Sequence, residues 1–346
     1  MNVKQLFLEQ LLPLLIKAGF TCETAEETIH VKNSDTDSLC TVEIKELGVI
    51  GTDGLKLTHS IKIYTRCAEP APGMLDLKNI GNWNAYTSML SLIKDEQGLA
   101  VVAKINLYEV PEEIIKHLYA PLAYAAVWLS FGIKYFIDNG HPNVIDFFNF
   151  GRTAGMDPWS FGIPEDATKA LTSVTEQSLK EGELLARQRG LVSFSDEKGM
   201  SLEFPWDRGA IAAVYDLLIN PYEDKEGLGR TSDPDRKKTS LLMIENNQPH
   251  PLFGNGLLVR LQLPILVAPD TLPALVNEIN LWEMNAADMP PFVGSWCIDP
   301  QFPSPAFIMF IPSMFSHINT IPSLLYWIDS RHKAVMTYLK QLGYDI

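Results

Sequence analysis

Apolar and polar residues alternate along several stretches of the first 110 residues. The clearest is residues 57–66, in which the positions that share one face are Leu57, His59, Ile61 and Ile63. A period of two is typical of a β-strand with one face toward the core and one toward water. Further strands are predicted at 27–31 and 39–46. No helical stretch separates them, which favours an antiparallel sheet.

Helical spacing replaces this alternation in other stretches. Residues 11–18 are apolar at a helical period and end at Gly19, and residues 171–189 form a charged helical pattern that ends at Gly190. Glycine is the residue most suited to the position after a helix, because it tolerates the left-handed backbone conformation there. Both stretches are therefore predicted to be helices.

The order of these patterns occurs twice along the chain. Residues 77–84 (LKNIGNWN) match residues 276–283 (VNEINLWE) at an offset of 199, which aligns Trp83 with Trp282. Two strand patterns follow each match, and then a helix that opens near Pro111 or Pro322. Proline is well accommodated in the first turn of a helix. Self-similarity of this kind predicts an internal duplication.

The predicted fold class is α+β, with two tandem domains that each combine an antiparallel sheet with helices in the order helix, strands, helix, strand pair, helix. We expect the first domain at residues 1–140, an aromatic linker rich in glycine and proline at 141–165, and the second domain at 166–346. The offset between copies grows from 171 at the glycines to 199 at the tryptophans. The second domain should therefore carry an insertion, at about 207–238.

Two aromatic segments are candidates for binding. The linker is expected to pack between the domains, because a free linker would not expose aromatic side chains such as Trp159 and Phe161. Residues 292–315 hold more large apolar side chains than one sheet face buries, so this segment is either buried between the domains or forms a groove for a partner. The candidate binding residues are Trp296, Phe302, Phe307, Met309, Trp159 and Phe161.

Charge and cysteine content limit the classes of partner. The 346 residues include 28 basic and 42 acidic side chains, a net charge of −14, which disfavours nucleic acid and anionic membranes. Four cysteines without CxxC spacing indicate reduced thiols and a cytoplasmic protein. Residues 117–133 lack charge but are slightly short for a membrane span, so a buried core helix is favoured over a transmembrane one.

No pattern of catalytic or metal-binding residues emerges from the sequence. The seven histidines form no HxxxH, HxH or HExxH spacing, so no metal site is expected. Ser160 lies in PWSFG, where a proline stands at the glycine position that a nucleophile elbow requires. We therefore predict no catalytic residues and no cofactor.

The chain also resembles the YbjN-type proteins, which look like the type III secretion chaperone fold. The similarity lies in AGF at the end of the first helix, in the short tryptophan-bearing helix that ends in GNWN at residues 81–84, and in the strand pair LSLIKDEQGLAVVAKINL. It covers roughly residues 3–136 and, more weakly, 168–340. The resemblance implies a cytoplasmic regulator or chaperone that holds a partner polypeptide, and two copies in one chain would form the usual chaperone dimer internally.

The leading functional hypothesis is a non-enzymatic, chaperone-like regulator that binds a protein or peptide partner, with basic partners favoured by the acidic surface. The partner's apolar segment would lie on an exposed sheet or in a groove between the domains. The alternative is an enzyme with a small-molecule site in the inter-domain cleft, with His141, Asp146 and Arg152 as candidates. A purely structural subunit, or a homo-oligomer, is a further possibility.

Overall fold

A computed structural model of the chain describes most of its residues, and the account below is limited to them. They are residues 3–34, 38–50, 56–68, 76–108, 112, 115–141, 143–153, 171–188, 191, 193–205, 239–250, 252–265, 267–286, 294–298, 304–312 and 320–344. Within these ranges the chain forms seven α-helices and two six-stranded antiparallel sheets, each with helices packed on it. The predicted fold class, two similar α+β units in tandem, is confirmed.

The helices and strands follow the predicted order in both units. The first unit contains α1 (Val3–Lys17), β1 (Phe20–Thr24), β2 (Thr28–Asn33), β3 (Ser38–Ile50), β4 (Lys56–Arg66), α2 (Leu77–Thr87), β5 (Ser91–Asp95), β6 (Gly98–Tyr108), a π-helical turn at Ile115–Tyr119 and α3 (Ala120–Asp138). After α4 (Val144–Thr153), the second contains α5 (Leu171–Gln188), β7 (Ser193–Asp196), β8 (Gly199–Pro205), β9 (Thr239–His250), β10 (Gly254–Gln262), α6 (Leu272–Asn285), β11 (Ser295–Ile298), β12 (Pro305–Pro312) and α7 (Thr320–Gln341).

Both sheets have the same strand order. The first runs β1-β2-β3-β4-β6-β5, and the second runs β7-β8-β9-β10-β12-β11. The last hairpin of each unit is therefore inserted in reverse, so that its first strand lies at the sheet edge. This shared topology supports the inference of a duplication independently of sequence similarity.

One face of each sheet carries buried side chains and is covered by helices of its own unit. In β4 the side chains of His59, Ile61 and Ile63 are buried, and their polar neighbours are only half-buried, as the alternation predicts. Helices α1 and α3 pack against each other, and α3 packs on β3, β4 and β6. In the second unit α5 packs against α7 at Gly182, where a methyl group would lie 2.4 Å from Cγ2 of Ile321.

The second face of each sheet is also partly covered. All eight residues of β12 are buried, and β6 is buried along most of its length on both faces. A strand of an open antiparallel sheet would expose alternate residues. The additional cover comes from the other unit, because α6 packs on β5 and β6 while α2 packs on β11.

Several sequence predictions need correction. The first strand, β1, at Phe20–Thr24, was not predicted. The predicted linker contains a helix, α4. The segments around Pro111 and 207–238 lie outside the described residues, apart from Glu112 beside that proline. In α3, the one described helix long and apolar enough to cross a membrane, 78% of the apolar window is buried, as in a core helix.

Candidate functional site

The two units meet through an interface that repeats itself. The amide of Asn84 on α2 donates to the main-chain oxygen of Leu92 at 3.0 Å and accepts from its N–H at 2.6 Å. Asn280 on α6 makes the same two bonds with Trp296, each at 2.9 Å. Each asparagine thus fixes its helix to the edge strand of its own sheet.

Two serines extend this pattern across the interface. Ser91 at the start of β5 donates to Oδ1 of Asn280 at 3.2 Å, and Ser295 at the start of β11 donates to the main-chain oxygen of Asn84 at 2.7 Å. The contacts are reciprocal, as at an interface between two copies of one protein related by a two-fold axis. The two units are therefore arranged as an internal pseudo-dimer about this interface.

The hydrogen bonds also correct the alignment of the repeats. Asn84 and Asn280 occupy equivalent positions, so the offset between α2 and α6 is 196 residues rather than the 199 inferred from the tryptophans. Trp83 is buried, with its ring centre 6.0 Å from that of Phe147. Trp282 is half-buried and stacks on Tyr338 at 4.4 Å. The tryptophans are therefore not equivalent.

One side of the pseudo-dimer interface is filled by side chains of α6. Leu281 and Met284 pack on the outer face of the first sheet, against Ile93, Ala100 and Val102. We call this the filled side. Since an apolar sheet face is stable only when it is covered, these contacts account for the burial of β6 on both faces.

On the opposite side the corresponding residues, near the C-terminal end of α2 and directly after it, are small. At the offset of 196 residues, Leu281 corresponds to Ala85 and Met284 to Ser88. Ala85 does touch the outer face of the second sheet, where it packs with Cys297, Ala306 and Ile308. A methyl group and a hydroxymethyl group cannot occupy the volume that leucine and methionine fill, so space remains on this side.

That space is a pocket of about 540 Å³ between the two units. We call it the inter-unit pocket. Its volume is in the range of sites that hold one small ligand. The described lining consists of Asn82, Ala85, Tyr86, Ser88, Asn143, Val144, Ile145, Gln248, Pro249, His250, Leu258, Arg260, Ile298, Ile308 and Phe310.

His250 is a buried polar residue in this lining. Its ring lies 4.7 Å from that of Phe253 and 4.8 Å from that of Phe310, and Phe148 of α4 meets it edge-on at 5.4 Å. Burial lowers the pKa of His250 to about 3. The imidazole is therefore neutral over the physiological pH range.

The main chain fixes which nitrogen of His250 carries the proton. Nδ1 accepts from the N–H groups of Leu252 at 3.2 Å and Phe253 at 3.3 Å. A ring nitrogen that accepts cannot carry the proton in a neutral imidazole, so the proton is on Nε2. Nε2 is buried and has no acceptor among the described residues.

Arg260 is the cationic residue of the described lining. It lies on β10 opposite Ile308 of β12, with Leu258 and Phe310 forming the next pair on the same face. Its Nε is buried without an acceptor among the described residues. Two residues of the described lining, Arg260 and His250, thus each carry a buried N–H donor without a described acceptor, among mainly apolar side chains.

A second polar cluster lies inside the second unit. Glu283 accepts from the guanidinium of Arg331 and, at 2.5 Å, from the indole nitrogen of Trp296. The guanidinium also lies 4.0 Å above the ring of Phe307, and Arg331 is only 1% exposed. This cluster ties α7 to α6 and β11, and its burial fits a structural role.

The sequence-predicted binding residues fall into two groups. Trp296, Phe307 and Met309 are buried in the core, so burial is the alternative that the structure supports for these three side chains. Their use by a partner would require the core to open, and the candidate site is built from other residues. Trp159, Phe161 and Phe302 lie outside the described residues.

Of the residues suggested for an enzymatic site, His141 and Asp146 are not in the described lining of the inter-unit pocket. His141 and Asp146 are exposed, and the side chain of Arg152 lies outside the described part. The same segment does reach the pocket, through Asn143, Val144 and Ile145. The expectation that the linker packs between the units holds for Phe147 and Phe148, which contact Trp83 and His250 respectively.

The chemistry of the remaining candidates is limited in the described ranges. The described ranges hold no group of three or more histidine, cysteine, aspartate or glutamate side chains that could bind a metal ion. All four cysteines are free thiols. Burial raises the pKa of Cys40 to about 11 and that of Cys67 to about 12, so neither is an activated nucleophile.

Comparison with protein-family models, curated proteins and solved structures found no match. The resemblance to YbjN-type proteins therefore stays a prediction, and the functional argument depends on the pocket. Sequence reasoning missed its lining residues, His250 and Arg260 among them. The available signal was the repeated asparagine, because the alignment of Asn84 with Asn280 places Ala85 and Ser88 opposite leucine and methionine.

Proposed function

We propose that this chain is a non-enzymatic, cytoplasmic binding protein that holds an apolar group of a partner polypeptide in the inter-unit pocket. The observation that carries the proposal is the difference between the two sides of a repeated interface. Leu281 and Met284 fill one side, whereas Ala85 and Ser88 leave about 540 Å³ on the other. Because much of its lining is apolar and it is open to solvent, an apolar group of a ligand that enters this pocket would be removed from water.

The composition of the described lining supports binding rather than catalysis. It provides apolar side chains, amides and two donors, and its described members include no carboxylate, thiol or ammonium group. The hydroxyl of Ser88 donates weakly to main-chain oxygens of its own helix, at 3.4 and 3.5 Å. His250 cannot accept a proton near neutral pH, because burial holds its pKa at about 3.

The rim of the pocket supports a polypeptide partner. Tyr86 is 52% exposed and Ile145 is 48% exposed, and both lie at the pocket. Exposed aromatic and aliphatic side chains beside a pocket are typical contacts of protein interfaces. The net charge of −14 favours a partner with basic residues next to its apolar segment. Free thiols are in keeping with the reducing cytoplasm.

A peptide selection tests this proposal. Random peptides would be selected on the intact chain, and their affinities measured for a pocket-filled variant that carries Ala85→Leu and Ser88→Met together. We expect the selected peptides to bind the pocket-filled variant at least tenfold more weakly, because its side chains occupy their site. Tyr86→Ala should also weaken binding, while Tyr135→Ala, an equally exposed tyrosine elsewhere, is the matched control.

Two outcomes would contradict the proposal. Peptides that bind the pocket-filled variant as tightly as the native chain would place the binding surface elsewhere. Chemical alteration of a bound peptide during incubation, followed by mass spectrometry, would favour the enzymatic alternative.

A further inference from the structure

We infer that the inter-unit pocket takes a ligand in which an apolar body carries a carboxylate, with Arg260 and His250 as the groups that receive the carboxylate. The inference rests on the proposed binding function and adds the chemical class of the ligand. The carboxylate can come from the C-terminus of a peptide or from a free organic acid.

In the described lining, the buried side-chain nitrogen and oxygen atoms that lack a described partner are both donors. His250 presents Nε2–H, because its Nδ1 is occupied by two main-chain N–H groups. Arg260 presents Nε–H. Buried donors without acceptors are strongly destabilising, so a ligand that fits should bring acceptors. A carboxylate has two oxygens that only accept.

The charge of the pocket points in the same direction. The six ion pairs formed among the described residues do not include Arg260, and no carboxylate belongs to the described lining. The described lining thus carries a net positive charge in a chain of net charge −14. Charge-assisted hydrogen bonds from a guanidinium to a carboxylate are among the stronger polar contacts.

The apolar side chains around Arg260 favour an anion that carries a single charge. Leu258, Ile308 and Phe310 surround Arg260 on the same sheet face, and Ile298 lies beside them in the lining. A phosphate carries nearly two charges and would need more cationic groups than a single guanidinium to offset its desolvation. A monovalent carboxylate can accept hydrogen bonds from the donors, and the apolar body that carries it can pack on the apolar side chains beside them.

The equivalent positions on the filled side carry different side chains. In the second sheet, Arg260 of β10 pairs with Ile308 of β12. At the equivalent position of the first sheet, Tyr64 of β4 pairs with Val102 of β6. Val102 is covered by Met284 and Tyr64 packs beside it. Tyrosine thus stands on the filled side where Arg260 stands on the pocket side, and the guanidinium nearest to Tyr64, that of Arg66, is paired with Asp95.

Isothermal titration with matched acid and amide probes tests the inference. The small probes are 4-phenylbutyrate and 4-phenylbutyramide, and the peptide probes are a hexapeptide ending in phenylalanine with either a free or an amidated C-terminus. We expect each acid to bind the native chain at least about tenfold more tightly than its amide, as the strength of a charge-assisted hydrogen bond implies. The tighter-binding acid identifies the source of the carboxylate.

Variants assign the preference to its residues. Arg260→Met should bring the ratio of acid to amide affinity close to one and leave the amide affinity within about twofold. Arg260→Lys, which keeps the charge but loses Nε–H, should retain part of the preference, and His250→Phe should reduce it. Arg187→Met, which removes an exposed arginine of α5, is the control that should leave the ratio unchanged.

The outcomes separate this inference from the proposed function. Equal binding of acid and amide to the native chain, with both lost in the pocket-filled variant, would overturn the carboxylate and leave the binding pocket in place. An acid preference that survives Arg260→Met would also overturn the inference. Absence of binding by all four probes overturns it as well, and the peptide selection then decides separately whether the pocket binds a polypeptide.

Discussion

The two sides of the pseudo-dimer interface share the same type of hydrogen bonds but differ in the side chains that pack beside them. On both sides an asparagine fixes a helix to an edge strand, and a serine crosses to the other unit. On the filled side Leu281 and Met284 then cover the neighbouring sheet, whereas Ala85 and Ser88 leave the inter-unit pocket open. The hydrogen bonds hold the units together, and the apolar residues between them are where the two sides differ.

This difference shows what a duplication allows within one chain. In a homodimer, a two-fold axis forces both sides of the interface to carry the same residues. In a tandem chain each side can change alone, so one can keep the packing while the other becomes a site. We expect the filled side to contribute more to stability and the pocket side more to binding.

The largest expected difference in stability between the two sides comes from equivalent residues near the C-terminal ends of α6 and α2. Glu283 on α6 corresponds to Thr87 on α2, whose hydroxyl bonds only the main-chain oxygen of Leu90, at 3.0 Å. Glu283→Ala should lower the free energy of unfolding by roughly 3 to 5 kcal/mol, because it leaves the buried guanidinium of Arg331 without its counter-charge. Thr87→Ala should lower it by about 1 kcal/mol. Urea unfolding measures both.

A double variant controls for the charge itself. Replacement of both partners, Glu283→Met with Arg331→Met, should recover much of the loss, since no uncompensated charge then remains in the core. A loss for Glu283→Ala no greater than that for Thr87→Ala would show that the ion pair does not stabilise the second unit.

The next difference is in the packing of the two sides. Leu281→Ala with Met284→Ser should lower the free energy of unfolding by roughly 2 to 4 kcal/mol, because it creates on the filled side the cavity that the pocket side already has. The pocket-filled variant should change stability by less than about 1 kcal/mol, since its added side chains enter existing space. Guanidinium unfolding of both double variants checks this, and equal destabilisation by the two exchanges would contradict it.

A smaller effect follows from the buried histidine of the pocket side. The pKa of His250 is lowered to about 3 in the folded chain, against about 6.5 when unfolded. Below pH 6.5 the unfolded chain binds a proton that the folded chain does not, so this residue's contribution to stability is present above pH 6.5 and lost as the pH falls toward 3. At pH 4.5, about two units below the pKa of the unfolded chain, the loss should be roughly 2 to 3 kcal/mol.

The pH dependence is read as a difference between two chains. His250→Phe should show a shallower fall in unfolding free energy between pH 7 and pH 4.5 than the native chain. Burial also lowers the pKa of His332, to about 4, and because this residue is present in both chains its effect cancels in the comparison. Parallel curves for the two chains would contradict a neutral, buried imidazole at position 250.

The sequence predicted the repeat and most strands because these depend on local periodicity. The strand at residues 57–66 and the two strands that follow residues 77–84 appear in the structure where they were expected. The helix alignment was wrong by three residues because a tryptophan is more conspicuous than an asparagine, and three residues is close to one helical turn. Only the hydrogen bonds to Leu92 and Trp296 identify the equivalent positions.

The pocket could not be predicted from the sequence for a different reason. A cavity arises from side chains that are small relative to their surroundings, and those surroundings come from β9, β10, β12 and α4, which are distant in sequence. Burial on both faces of β12 likewise depends on cover from the other unit. Its apolar run indicated an unusually buried segment, but no local pattern indicates what covers it.

Methyl NMR of the intact chain tests the asymmetry of the interface most directly. Val102 and Ile308 occupy equivalent positions, since Val102 pairs with Ser91 and Ile308 with Ser295. On titration with 4-phenylbutyrate, the account predicts saturable shifts of the Ile308 methyl signals, unchanged Val102 signals, and loss of the Ile308 response in the pocket-filled variant. Equal shifts of both residues, or no shift at Ile308, would contradict it.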